Sequence, residues 1–366
     1  TEITKNYPVP KSEIFCLPVF FGLLNDSVIV NRTLPDYQKL LGKQIVEINN
    51  EKIESIIPKI SFLNGRCDGY ITSRKELFEL ELFHLEYQMS YNKTDFIYQT
   101  TSDNYIPSWK HWLPQNGNFE TIKLNKETAL LDINTFDLTK KDENNIFSFI
   151  KELADSSYKN IIIDIRDNRG GSADVAGLFS LFVKQPFQTQ VPTILNKNLS
   201  YNFLKYCDNY NMEAIKLFKE QTIVKDLENK TPTAIIPLHK PNDSIHFDGN
   251  IYVLTNEFSV SASTILAALV HKYKRGVIVG RETASGYYQM NAAKFANITL
   301  PNSGVGVRIH LSKFMFEYKG NSDIPWGRGV IPDHIIKLSF DEFTAKDDKI
   351  LSCTLKLIND SNRVIK

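Results

Sequence analysis

Two short segments of this chain place small or hydroxyl-bearing residues where a predicted strand leads into a predicted helix. The first joins the β-branched run Ile161–Ile165 to an apolar helix predicted over Ala173–Val183, and it contains Gly170 and Gly171. Adjacent glycines let the backbone approach a bound group closely and leave N–H donors free at a helix start, as an oxyanion site requires. A tight turn with positive φ uses the same two glycines, so a purely structural role explains them as well.

The second segment follows the apolar run 251–254 and contains Ser259, Ser261 and Ser263 at the start of a helix predicted to end near Tyr273. A serine in the first turn of a helix commonly caps a backbone N–H. A nucleophilic serine gains from the same position, because the helix dipole and the next N–H stabilise the oxyanion formed on attack. Spacing alone does not decide between these interpretations, and the three serines are equal candidates for the cap.

Together with two further motifs, these segments resemble the S41 serine peptidases. The motifs are, in chain order, DIRDNRGG at 164–171, LTN at 254–256 leading to SAS at 261–263, VGRET at 279–283, and GRGVIPD at 327–333. This family contains the tail-specific or C-terminal processing peptidases and their tricorn-like and retinoid-binding-protein relatives. The resemblance covers roughly residues 125 to 360.

The resemblance implies a ClpP/crotonase-like α/β core and peptide-bond hydrolysis through an acyl-enzyme. Matched residue by residue, Ser261 falls at the position of the family nucleophile. Gly170, Gly171 and the N–H of Ala262 fall where the family builds its oxyanion hole. These assignments agree with the chemistry that the two segments allow.

The general base of the processing peptidases has no clear counterpart. Their base is a lysine in the motif G-x-K-T-x-G-K-G, and Gly286 stands in its place here. A Ser–Lys dyad is therefore not expected. Lys272 and Lys294 are the substitutes considered, but a solvated lysine near its ordinary pKa of about 10.4 is a poor base.

The tricorn-like branch uses a histidine base instead, in a D-x-H-T-like motif before the small β-rich unit. Thr1 to Thr4 resemble the residues just after such a histidine, so we expect the base upstream of Thr1, in a segment that this chain lacks. The internal alternatives are His271, His310 and His334. The tricorn-like acid before the GRGVIPD turn also has no clear match.

An α/β core at residues 121–366 is predicted to hold these motifs. Strand and helix patterns alternate there, and a polar, Asn- and Lys-rich insertion interrupts them at about 187–247. Apolar runs separated by turn residues predict a small β-rich unit within residues 1–120, with a PDZ-like segment at 40–49. A helix at 72–90 is predicted in the same region.

Composition excludes several classes of protein. Of the 366 residues, 42% are hydrophobic and 11% aromatic, which is enough for a buried core. The 43 Lys and Arg residues nearly balance the 42 Asp and Glu residues without a basic run, so nucleic acid is not an expected partner.

The longest apolar stretch, 17–24, is shorter than the roughly 20 residues of a membrane span. Four cysteines without a C-x-x-C pair argue against a zinc site, and no metal or organic cofactor is implied.

The sequence therefore predicts a serine peptidase that acts on peptide or protein substrates through Ser261. The unit at 1–120 would add the peptide as a strand or gate the cleft. A non-catalytic ligand- or peptide-binding protein on the same fold is the alternative, favoured by the missing base, and an esterase or amidase is a third interpretation. Relatives of this kind are commonly exported, so we expect an extracytoplasmic location. The oligomeric state is not predicted.

Overall fold

A computed structural model gives the fold, and it describes most of the predicted core and parts of the N-terminal region. The described residues are 2–4, 19–24, 27–33, 39–40, 43–48, 50–60, 98–100, 117–172, 174–191, 206–207, 223–225, 232–234, 238–291, 295–302, 304, 306–310, 313–338 and 347–364. The helix predicted at 72–90 and much of the predicted insertion lie outside these ranges.

The described strands and helices are numbered in chain order. The strands are β1 Glu2–Thr4, β2 Val19–Leu24, β3 Ser27–Thr33, β4 Gln44–Ile48, β5 Glu51–Lys52, β6 Tyr98–Thr100, β7 Phe119–Lys123, β8 Thr128–Ile133, β9 Asn160–Asp164, β10 Ile223–Lys225, β11 Pro232–Ala234, β12 Asn250–Thr255, β13 Val277–Gly280, β14 Gln289–Asn291, β15 Phe295–Thr299, β16 Gly306–His310, β17 Lys313–Met315 and β18 His334–Ile335. The helices are α1 Ile53–Ile60, α2 Lys140–Ala154, α3 Val175–Ser180, α4 Ala262–Lys272 and α5 Lys349–Val364.

A six-stranded sheet with the order β18-β13-β12-β9-β8-β7 forms the centre of the core. Five of its strands are parallel, and β7 runs antiparallel to β8. Every residue of β8 and β9 is buried, as is typical of inner strands with both faces covered. The predicted α/β class is confirmed at this level, as a mixed fold around a mostly parallel sheet.

Alternate residues of the sheet pack into two apolar layers. Ile161 and Ile163 belong to the larger layer, together with residues of α2, α3 and α4. Ile162, which points to the opposite face, packs with Ile350 and Ile358 of α5. Helices therefore cover both faces, and the segments that follow the inner strands emerge at one edge of the sheet.

The predicted helix over Ala173–Val183 is shorter in the structure, where α3 covers Val175–Ser180. The chain turns directly after it, because Leu181 and Phe182 donate their N–H groups three residues back, to the carbonyls of Leu178 and Phe179. Helix α2 covers Lys140–Ala154. A capping box between Thr139 and Asp142 fixes its start.

The remaining strands form smaller sheets. Strands β2 to β5 and β6 make an antiparallel five-stranded sheet, which contains the apolar runs predicted as strands near residues 20, 29 and 46. Strand β1 pairs with β16 in the three-stranded sheet β1-β16-β15. Within the described ranges, no helix has the length and apolar character needed to cross a membrane.

Candidate active site

The two strand-to-helix segments lie side by side at the carboxyl edge of the central sheet. Strands β9 and β12 are parallel neighbours, with Asp164 in register with Leu254. The loop 165–171 after β9 and the loop 256–261 after β12 therefore leave the sheet together. In open parallel sheets this edge is where ligands bind.

Asn168 organises the first loop from inside the protein. Its side chain is fully buried, donates to the Ile133 carbonyl at 2.8 Å and accepts the Gly170 N–H at 2.9 Å. Its own carbonyl accepts the Val260 N–H at 3.0 Å and the Ser263 hydroxyl at 2.8 Å. One residue thus fixes the glycine loop and joins it to the serine loop.

The two glycines have different roles in this geometry. Gly170 is buried with φ +92°, and a Cβ there would lie 2.8 Å from the Ser261 Cβ and 3.1 Å from the Ala262 nitrogen. Its N–H is already donated to Asn168, which removes Gly170 from the predicted oxyanion donors. Gly171 is exposed, with φ +147°, and its N–H has no hydrogen-bond partner among the described residues. The N–H of Ala262, the first residue of α4, is likewise unpaired within the described part of the chain.

Ser261 has an unusual backbone conformation for a residue with a side chain. It lies between β12 and α4 with φ 55° and ψ −113°, and its hydroxyl makes no cap bond to the helix. Within the described ranges that hydroxyl has no hydrogen-bond partner. A strained φ at a sharp strand-to-helix turn, on a serine whose hydroxyl makes no cap bond, is typical of a nucleophile elbow.

The other two serines are structural. The Ser259 hydroxyl donates to the Ile165 carbonyl at 2.8 Å and accepts the Asn256 N–H at 3.1 Å. The Ser263 hydroxyl is the buried donor to Asn168 described above. The three serines that the sequence could not separate are therefore distinguished by their partners, and Ser261 is the one whose hydroxyl is available.

Asn256 and Asp167 form a second bridge between the two loops. The Asn256 side chain accepts the Asp167 N–H at 3.0 Å and donates to the Asp167 carboxylate at 2.9 Å. Asp167 itself has φ 63°, a conformation that aspartate tolerates better than most residues. Its role here is structural, since its carboxylate accepts the bond that joins the two loops.

Arg166 anchors the base of the glycine loop to the C-terminal helix. Its guanidinium is buried and bonds Asp164 at 2.7 Å and Asp348, just before α5, at 2.6 Å. Burial by itself would lower the pKa of Arg166, but the two carboxylates outweigh it and raise that pKa well above its ordinary value. Arg166 therefore remains charged, and its role here is structural.

The VGRET and GRGVIPD motifs pack against each other and against the serine loop. The Glu282 carboxylate accepts the Gly329 N–H at 2.7 Å and pairs with Arg328. The Thr283 hydroxyl accepts the Val330 N–H at 2.9 Å. Asp333 accepts the Ile278 N–H at 2.7 Å, a structural role in line with the sequence interpretation.

None of the described candidates for the general base hydrogen-bonds the Ser261 hydroxyl. His271 lies ten residues further along α4, about 15 Å away by helical rise, and bonds Asp323 at 3.1 Å. Lys272 pairs with Glu317 at 2.8 Å. His334 is exposed on β18, and His310 lies on β16 in a different sheet. Lys294 lies outside the described residues.

Two of the three aromatic residues that closely follow the VGRET motif or directly precede GRGVIPD are part of the core. Tyr287 and Tyr288 are buried, and the Tyr288 hydroxyl donates to the Ile324 carbonyl at 2.6 Å. Burial raises the pKa of Tyr287 to about 12, so its phenol stays protonated at neutral pH and is not a base. Trp326 is partly exposed, with Lys319 lying over its ring.

In the described ranges, no group of three or more His, Cys, Asp or Glu side chains is placed to hold a metal ion.

The comparison with family models decides the assignment of the chain. The model of peptidase family S41 matches residues 127–336, which is more than half of the chain. The chain belongs to peptidase family S41. It is accordingly a hydrolase of the serine peptidase class, and the match contains both loops and the two supporting motifs. No curated protein sequence is significantly similar to this S41 peptidase.

Solved structures that are similar to this chain include two of CPAF and one of a processing protease. Mature CPAF is 12% identical over 93% of this chain and 81% of its own, with a TM-score of 0.56. A point mutant of CPAF is 14% identical over 94% and 82%, with a TM-score of 0.60. The photosystem II D1 C-terminal processing protease is 14% identical over 88% and 72%, with a TM-score of 0.40. At these identities the similarity to CPAF shows the fold alone.

Proposed function

We propose that Ser261 is the nucleophile of this S41 peptidase and that the N–H groups of Gly171 and Ala262 bind the oxyanion. The observation that carries the proposal is the strained conformation of Ser261 together with its uncapped hydroxyl. A residue that served only as a helix cap would bond its side chain to the helix and would not need positive φ.

In the proposed reaction, the Ser261 Oγ attacks the carbonyl carbon of the scissile peptide while a base takes the hydroxyl proton. The negative charge that develops on the carbonyl oxygen is stabilised by the two unpaired N–H groups and by the N-terminus of α4. The C–N bond then breaks, the amine leaves with a proton, and water hydrolyses the ester on Ser261. The buried donors of Asn168 and Asn256 hold both loops and need not move during these steps.

The site and the family favour the peptidase over a non-catalytic binding protein. A binding protein has no need of a strained serine beside two unpaired N–H donors, because the strain costs about 1–3 kcal/mol of stability. An esterase or amidase would use the same nucleophile. Cleavage of peptides and of matched esters distinguishes these activities.

The experiment treats the chain, both at its present length and extended upstream of Thr1, with a fluorophosphonate probe and maps the adduct by peptide mass spectrometry. We expect an adduct on Ser261 that disappears in Ser261→Ala. An adduct in the extended form alone would favour a base upstream of Thr1, and an adduct in both forms would favour a base within these residues. The control is Ser148→Ala, an exposed serine on α2 whose loss should leave labelling unchanged. No adduct on Ser261 in either form would contradict the proposal.

We further propose that the five-stranded sheet β2 to β6 acts as the PDZ-like or cap unit and presents substrate to a ClpP/crotonase-like core. Within the described ranges β2 pairs on one side only, with β3, so a peptide can add to its other side.

The proposed substrate class is a protein C-terminus, as in tail-specific peptidases. Comparing peptides with a free and an amidated C-terminus tests this preference, and the proposed extracytoplasmic location is tested by cell fractionation.

A further inference from the structure

Ser285 is a buried serine that contacts the backbone of the proposed nucleophile. It follows β13, it is 5% exposed, and its Oγ accepts the Ser261 N–H at 2.9 Å. In the processing-peptidase motif G-x-K-T-x-G-K-G, the corresponding position is the glycine before the lysine. A hydroxyl is therefore present at a place where that motif has no side chain.

The Ser261 N–H needs an acceptor from outside its own helix. In a capping box, the third residue of the helix supplies this acceptor. That residue is Thr264, and its hydroxyl instead donates to the Ser259 carbonyl at 2.8 Å. Within the described residues no backbone carbonyl accepts the Ser261 N–H, and the Ser285 Oγ fills this role.

Ser285 is held in place independently of Ser261. The preceding residue, Ala284, donates its N–H to the Ser259 carbonyl at 3.1 Å. Thr283 bonds Val330 in both directions, through its own N–H at 3.2 Å and its hydroxyl at 2.9 Å. The acceptor for Ser261 is thus built into a segment whose position is fixed by other contacts.

We infer that Ser285 is a positioning residue, whose hydroxyl oxygen keeps the backbone of Ser261 in the strained turn that directs its Oγ outward. The inference rests on the proposed function of Ser261. Without this acceptor, the Ser261 N–H is left unpaired, and φ can relax toward negative values. The Oγ would then be displaced from the position that the proposed attack requires, and a small misplacement of a nucleophile lowers the rate strongly.

The test measures the rate of fluorophosphonate labelling, with kcat and KM for a peptide substrate, in the wild type, Ser285→Ala and Ser285→Thr. We expect Ser285→Ala to slow labelling and lower kcat about tenfold with KM unchanged, the size of one lost hydrogen bond. Ser285→Thr keeps the hydroxyl and should stay within about threefold of the wild type. The control is Ser180→Ala, which removes another buried serine hydroxyl, bonded to the Gly177 carbonyl, and should leave both rates unchanged.

The outcomes separate this inference from the proposed function. If the wild type forms the Ser261 adduct and Ser285→Ala forms it equally fast, the inference alone is overturned. Equal losses in Ser285→Ala and Ser285→Thr would also overturn it, because volume rather than the hydroxyl would then matter. If the wild type forms no adduct on Ser261, the proposed function fails and the inference fails with it.

Discussion

The loops after β9 and β12 both need positive φ near the reaction centre, and they meet this need in opposite ways. The β9 loop uses Asp167, whose φ of 63° aspartate tolerates, and two glycines, which adopt such angles without steric cost but contribute only backbone groups. The β12 loop places Ser261 there, a residue with a Cβ that strains in this conformation. The β12 loop needs a residue with a side chain at this position, and the backbone strain is therefore located at Ser261.

The contacts that support the two loops also differ. The glycine loop is fixed by the buried amide of Asn168, by the Asp167–Asn256 bridge and by the ion pairs of Arg166. The serine loop is bonded to the β9 loop, through Ser259 and Val260, and to the segment after β13, through Ser285. A strained residue persists only when its surroundings over-determine its conformation. Contacts to two neighbouring segments therefore add to the bonds within the serine loop itself in holding Ser261 in its strained conformation.

The largest effect is expected from Gly170→Ala, which brings the two loops into collision. An added Cβ would lie 2.8 Å from the Ser261 Cβ and 2.9 Å from the Val260 carbonyl oxygen. Overpacking and positive φ together should lower the free energy of unfolding by about 4 kcal/mol. Displacement of Ser261 should slow probe labelling by about 100-fold. Denaturant unfolding and labelling kinetics measure the two effects.

The matched control for this change is Gly320→Ala. Gly320 has φ +93°, almost equal to the +92° of Gly170, and a Cβ there meets nothing within 4 Å. It should therefore show only the cost of positive φ, about 1–2 kcal/mol. Equal destabilisation by the two substitutions would contradict the close approach of Gly170 to Ser261.

The next largest effect is expected from Asn168→Ala, which removes the amide that fixes the glycine loop. The Gly170 N–H and the Ile133 carbonyl would then be buried without partners, at a combined cost of about 2–3 kcal/mol. Asn242→Ala is the comparison variant, because Asn242 also accepts backbone N–H groups but lies in a half-buried turn. There the loss should be about 1 kcal/mol, measured in the same unfolding assay. A smaller loss of unfolding free energy for Asn168→Ala than for Asn242→Ala would contradict the role of the Asn168 amide in fixing the glycine loop.

Much of the core could be predicted from the sequence because its signals are local. The β-branched run Ile161–Ile163 predicts a buried strand, and the apolar spacing after Ser261 predicts α4. Both are confirmed. The predicted helix over Ala173–Val183 was too long, since the turn after Ser180 depends on carbonyls of α3 that the apolar pattern does not reveal.

The site was predicted less completely, because its support comes from residues distant along the chain. The quoted motif contains Asn168, but its bond to Ile133 joins segments 35 residues apart, which local spacing cannot indicate. Ser285 and Asn256 were missed for the same reason. The sequence also did not indicate that the two predicted glycines differ. Only the structure shows that the Gly170 N–H is donated to the Asn168 side chain.

The smallest effect, and the one that tests strain directly, is expected from Ser261→Gly measured against Ser261→Ala. Both variants lack the hydroxyl, which makes no hydrogen bond within the described residues, but only the alanine variant keeps a Cβ at φ 55°. Glycine relieves a strain of about 1–3 kcal/mol, while the freer unfolded chain offsets about 0.4–1 kcal/mol of that gain. Ser261→Gly should therefore be more stable than Ser261→Ala by about 1 kcal/mol. If denaturant unfolding instead finds Ser261→Gly the less stable of the two, the turn is not strained. The glycine loop and the serine loop would then differ in sequence but not in backbone strain.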